Sequence, residues 1–227
     1  MERNNKKTFT KMEQKTWVGF MTFTVLLGDS IIDNKTYVQH GELSVLEHLE
    51  HLSNHEFQQL AYDGHTTKNV ISGQINSPMI STSSHLVLSI GGNDLLNNIP
   101  FLSEGPLENI NDAIAGVQQY IFKPLIKRFE TIVEKLSSHR ANLLLCTIYE
   151  GDLGRSDEYR GVLDSSKMMV SSFNDIVYKT AMKYKADVLE LRHIFVSPED
   201  YANPIEPSHS GGEKLAKEII KWIDLKN

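Results

Sequence analysis

Three short runs in this 227-residue chain are apolar at nearly every position: Val25 to Leu27, His85 to Ile90 and Asn142 to Tyr149. A strand with one wet face alternates polar and apolar residues. A run that does not alternate is covered on both sides, as in the interior of a parallel sheet. Each run stops at a small, turning, polar segment: Gly28-Asp29-Ser30, Gly91-Gly92-Asn93-Asp94 and Glu150-Gly151-Asp152. Between them, apolar residues recur at helical spacing. Leu43, Leu46, Leu49 and Leu52 form one stripe, and Ile110 through Leu136, Met168 through Ala181 and Leu215 through Ile223 form others. Two weaker strands are expected over Glu56 to Ala61 and Asp187 to Phe195, the latter including His193. Strand and helix then alternate about five times, which predicts a parallel sheet with helices on both faces.

Helices are expected over Glu42 to Leu52, from the Thr66-Thr67 cap through Val70 and Ile71, over Leu107 to Ser138 with a break at Pro124, over Val162 to Tyr184 and over Gly212 to Leu225. Pro100 to Pro106 reads as a connection. A chain that is 40% hydrophobic can bury a substantial core, and its length suits one domain, residues 22–227, behind a polar tail, residues 1–21. The net charge of -6 argues against nucleic acid or an anionic membrane as a partner. Cys146, the only cysteine, reads as a small core residue and fits a reducing, cytoplasmic setting. Lys6, Lys7, Lys11 and Lys15 precede an apolar stretch, but no small-residue cleavage pattern follows. That stretch also falls short of the roughly 20 residues of a membrane-spanning helix, so no stable membrane insertion is expected. His48, His51 and His55 share a charged helix face and read as solvated rather than metal-binding. No Walker loop, GxGxxG or Gly-x-Ser-x-Gly elbow is present.

Ligands of open α/β sheets gather outside the carboxyl ends of the strands, where Ser30 and Asn93 fall. A serine nucleophile needs a base, the base an orienting acid, and the tetrahedral anion needs donors. His209 and Glu206 offer the base and the acid. The amides of Ser30 and Gly64, with the Asn93 side chain, offer an oxyanion hole. His65, His85 and His193 remain alternative bases, although none has a carboxylate three residues earlier. Asp29, Asp33, Asn34, Gly92 and Asp94 flank the key loops, and the polar ones are expected to bond loop amides and keep Ser30 and Asn93 aimed.

From about Thr22 onward, the order of Gly28-Asp29-Ser30, Gly64 ahead of His65-Thr66-Thr67, Gly91-Gly92-Asn93-Asp94 and Glu206-Pro207-Ser208-His209 resembles the SGNH hydrolases, the GDSL esterases and lipases. The resemblance implies a three-layer α/β/α sandwich, flavodoxin-like, with a parallel sheet of about five strands. It also implies hydrolysis of a small-molecule ester or thioester through an acyl-serine, with no metal or organic cofactor. The chain departs from the family in one place: Glu206 stands where an aspartate is usual. Two other functions use the same strand ends, a binding protein on this scaffold without turnover and a flavin or phosphate binder. Pocket depth, and so the acyl group accepted, would be set by the loops Asp33 to Glu42, Leu95 to Leu107 and Gly151 to Val162. No long apolar cap is visible in them, which leans away from a lipase acting at a lipid interface.

Overall fold

A computed structural model of the chain describes residues 22–100, 109–157 and 159–227. The expected tail and most of the expected connection over Pro100 to Pro106 lie outside these residues.

The apolar runs form the strands of one sheet. In chain order the elements are β1 (Phe23–Gly28), α1 (Val45–Leu52), β2 (Glu56–Gln59), α2 (Thr67–Ser72), α3 (Met79–Thr82), β3 (His85–Ser89), α4 (Gly92–Leu96), α5 (Ile110–Gly116), α6 (Lys123–Ser137), β4 (Asn142–Cys146), α7 (Leu163–Tyr184), β5 (Asp187–Leu189) and α8 (His209–Lys226). All four pairings are parallel, in the order β2-β1-β3-β4-β5. Strand periodicity splits the core into two layers. Val25 and Leu27, Leu86 and Leu88, and Leu143 and Leu145 face α2, α3, α4, α6 and α7. Leu26, Val87, Leu144 and Cys146 face α1, α8 and the turns around Leu191 and Phe195. This is a three-layer α/β/α sandwich.

Several boundaries differ from the sequence expectation. Helix α1 starts at Val45, because the Ser44 amide donates to Glu47 Oε2 at 2.7 Å and the Ser44 hydroxyl caps the first turn. Pro124 does not break the helical run, which continues from α5 through a π-helical segment, Val117–Phe122, into α6. The widened π turn immediately before Pro124 is where the run accommodates its ring and missing N–H. The last strand ends at Leu189, and His193 lies in an exposed 3₁₀ turn that Glu190 caps by accepting from the Arg192 amide. His48 is not on a solvated face: it is 3% exposed and packs against His209. Cys146 is buried, and burial pushes its thiol pKa up to about 12.

In this strand order, β1 and β3 are neighbours whose connections leave to opposite sides. The crevice beyond their carboxyl ends is where such sheets bind ligands.

Candidate active site

At the end of β1, Gly28 takes a φ of 135°, and a Cβ there would lie 1.8 Å from the Ser89 carbonyl oxygen of β3. Only glycine permits this close approach. The turn that follows is closed by the Ile32 and Asp33 amides donating to the Asp29 carbonyl, and it places Ser30 at the crevice. Buried Gln74 grips both polar groups of Gly28: its Oε1 accepts from the Gly28 amide and its Nε2 donates to the Gly28 carbonyl, each at 2.8 Å. No sequence signal marked Gln74, since a glutamine after a short helix reads as surface.

Ser30 lines a small cleft of about 70 Å³ with Asp29, Gly92, Asn93, Glu150 and Glu206 on its polar side. Leu95, Leu96, Ile148, Tyr149, Leu153 and Met169 form much of the apolar remainder. Asn93 enters from the first turn of α4, and its Nδ2 donates to the His65 carbonyl at 3.0 Å, leaving one N–H uncommitted. Gly64 is exposed at a φ of 77° and does not line the cleft. Among the described residues, neither the Ser30 nor the Gly64 amide has a protein acceptor.

The flanking polar residues join the loops. Asp33 accepts from the Gln59 side chain at 2.9 Å and the Asp63 amide at 3.0 Å, tying the Ser30 loop to the Gly64 loop. Asn34 accepts from the Val45 amide at 2.8 Å and donates to the Pro207 carbonyl at 3.1 Å, tying the same loop to the carboxyl-terminal one. Asp94 accepts from the Thr67 amide and hydroxyl, at 2.8 and 2.7 Å, and pairs with Arg128 at 3.0 Å. Asp29 bonds the Ile31 amide at 3.2 Å, and burial drives its pKa well up.

The two residues expected as acid and base are not arranged as a triad. His209 opens α8, with its Nδ1 3.0 Å from the Leu43 amide and 3.1 Å from His48 Nε2, and it does not line the cleft. Three residues before it, the loop turns back on itself through the Ala202 amide donating to the Glu206 carbonyl. The spacing that suggested an acid and its imidazole therefore sends the two side chains to different places. Among the described residues no hydrogen bond joins them. Glu206 instead lines the cleft with Ser30, 5% exposed, and its buried Oε2 has no partner among the described residues. Burial raises its pKa to about 7, the Ser30 hydroxyl draws it down and the Asp63 charge raises it. The other histidines do not fill the gap. His65 Nδ1 is 2.9 Å from Gln74 Nε2, buried His85 abuts Trp222, and His193 is on the surface. Among the described residues, no three potential metal ligands converge.

The fold is the three-layer sandwich seen in solved SGNH hydrolases, among them a member of the lipolytic G-D-S-L family from Veillonella parvula. No family model and no curated protein matches the sequence. Among solved structures, the chain is similar to an extracellular lipase from Streptomyces rimosus, at 16% identity and a TM-score of 0.64, covering 88% of this chain and 99% of that one. A phospholipase A1 from Streptomyces albidoflavus is similar at 15% identity and a TM-score of 0.65, covering 89% and 99%. So is a lipase/acylhydrolase from Enterococcus faecalis, at 17% identity and a TM-score of 0.62, covering 91% and 97%. Among the described residues, no helix is long and apolar enough to cross a membrane.

Proposed function

We propose that this chain hydrolyses a small-molecule acyl ester through an acyl intermediate on Ser30. One observation carries the reading: the Ser30 hydroxyl sits at the carboxyl ends of β1 and β3, in a cleft that is otherwise largely apolar, beside the Asn93 side-chain amide. The acyl group would lie against Leu95, Ile148 and Met169, and the small volume favours a short one. The oxyanion would draw on the Ser30 amide and the uncommitted Asn93 N–H, whereas the expected Gly64 donor lies outside the cleft. Lipases and esterases among the structural neighbours support the same chemistry.

A binding protein without turnover is the second reading, favoured by the fact that no histidine lines the cleft. Covalent labelling by a fluorophosphonate separates the two. Folded wild type should be labelled and Ser30→Ala should not, with p-nitrophenyl acetate hydrolysis by Ser30→Ala falling to background. Asn93→Ala, lacking one oxyanion donor, should lose on the order of 10²- to 10³-fold in kcat. A wild-type protein that hydrolyses nothing and takes up no label would establish the binding reading.

A further inference from the structure

We propose that the Glu206 carboxylate itself, and not an imidazole, is the general base for Ser30, so that the site works as a serine and carboxylate pair. The assignment rests on the acyl-serine reading and names the group that would take the proton.

Geometry supports it from three directions. First, Glu206 and Ser30 line the same cleft, and the Ser30 hydroxyl acts on the carboxyl so as to favour its charged form. Second, Glu206 Oε2 is buried without a donor among the described residues. A buried carboxylate oxygen normally has a donor, because leaving one unsatisfied is costly. A substrate alcohol or an attacking water in the cleft would supply it. Third, the backbone on both sides of Glu206 is clamped. Asn203 Oδ1 accepts from the Ile205 and Glu206 amides, each at 2.9 Å. The Tyr149 hydroxyl donates to the Ile205 carbonyl at 2.7 Å, and Asn34 Nδ2 donates to the Pro207 carbonyl at 3.1 Å. Clamping of this kind is what a group needs to hold one reactive orientation. His209, by contrast, is committed to Leu43 and His48 outside the cleft.

The chemistry balances without another residue. The Glu206 carboxylate accepts the Ser30 proton as Oγ bonds the acyl carbon, and the carbonyl π pair moves onto oxygen. The intermediate collapses with cleavage of the bond to the alcohol oxygen, which leaves with the proton from Glu206. A water then enters, gives a proton to Glu206 and bonds the acyl carbon through its oxygen. Collapse frees the carboxylic acid and returns the proton to Ser30 Oγ. A carboxylate is ordinarily too weak a base for this work near neutrality, since its conjugate acid lies far below the operating pH. Here burial first, and then the Asp63 charge, bring Glu206 to about 7. Among the described residues, Asp29, Tyr37 and Tyr149 also interact with it, Glu150 lines the same cleft, and no cation is among the groups acting on it.

The test is the pH profile of p-nitrophenyl acetate hydrolysis and of fluorophosphonate labelling for the full chain and three variants, with circular dichroism reporting the fold. Wild-type kcat/KM should rise with pH through an acid limb centred near 7. Glu206→Gln should lose 10²- to 10⁴-fold, the range of a positioned general base, and lose that limb. Glu206→Asp, with the carboxylate withdrawn by a methylene, should recover part of the rate and keep an acid limb, which guards against a Gln variant that misfolds. His209→Gln should stay within about twofold of wild type, because general-base losses are far larger. If Glu206→Gln keeps the wild-type rate and limb, or His209→Gln loses both, the assignment is overturned while the acyl-serine reading stands. If Ser30→Ala keeps the wild-type rate, or wild type is never labelled, the acyl-serine reading falls and the assignment with it.

Discussion

Glu206 shows how one residue's surroundings change what its side chain can do. Its carboxyl is shut away from water beside a neutral hydroxyl and an acidic neighbour, so its pKa is pushed from the ordinary 4.5 to about 7. Between those values the folded chain holds a proton that the unfolded chain has released. Stability is therefore fully present below 4.5 and falls as pH rises through 7. A shift of that size corresponds to at most roughly 3 kcal/mol. Glu206→Gln should consequently raise the stability of the fold at pH 8 and leave it nearly unchanged at pH 4.5. Denaturant melts at the two pH values would reveal this, and an equal effect at both would refute it. The effect is independent of turnover, since it reads only the burial of charge. Gly28 and Gln74 make the complementary point. Glycine before Asp29 could be read from the sequence as a turn, but its contact with the Ser89 carbonyl and its two hydrogen bonds with Gln74 depend on β3 and a distant turn.

Among the elements, short α2 and α4 depend on each other more than on their own length. Helices of six and five residues are too short to hold together alone, and Asp94 on α4 caps α2 by accepting from the Thr67 amide. Arg128 of α6 closes the network on Asp94 and on the Thr67 hydroxyl. Asp94→Ala would leave a buried amide and a partly buried guanidinium without their acceptor. We expect a loss of about 2–4 kcal/mol in urea unfolding, with Asp94→Asn recovering part of it. Activity should fall with it, because the neighbouring Asn93 is aimed from the same turn; unchanged stability would show that the network is ornamental. Local chemistry made the Thr66 entry to α2 legible, whereas the start of α1 was set by a Ser44 and Glu47 capping box that the apolar spacing did not mark. It misled at β5, where an apolar run beyond Leu189 suggested a longer strand. Those residues are buried by packing on α8 from a 3₁₀ turn, and burial leaves the same apolar signature in either conformation.

At the scale of the whole molecule, one sheet separates two apolar layers that share no side-chain packing. Ile132 of α6 and Ile219 of α8 are fully buried on opposite faces. Ile132→Val and Ile219→Val should each cost about 0.5–1.5 kcal/mol. Their double variant should cost the sum to within about 0.5 kcal/mol, as distant sites without shared partners do. Chemical denaturation of the three variants checks this, and a large coupling would mean that the sheet transmits strain between its faces. By itself the sequence determined the layered architecture, because period and burial are written locally in which residues are apolar. It also put Ser30 and Asn93 just beyond the carboxyl ends of two buried strands. Only the tertiary structure decided the order of the strands, the partners of Gly28 and Asp94, and which carboxyl-terminal side chain faces Ser30. A spacing of three residues brings two side chains together in a helix or a tight turn, and not in every loop. Glu206 lies in a loop that turns back on itself and His209 is the first residue of α8, so contacts between distant segments chose the carboxylate over the imidazole.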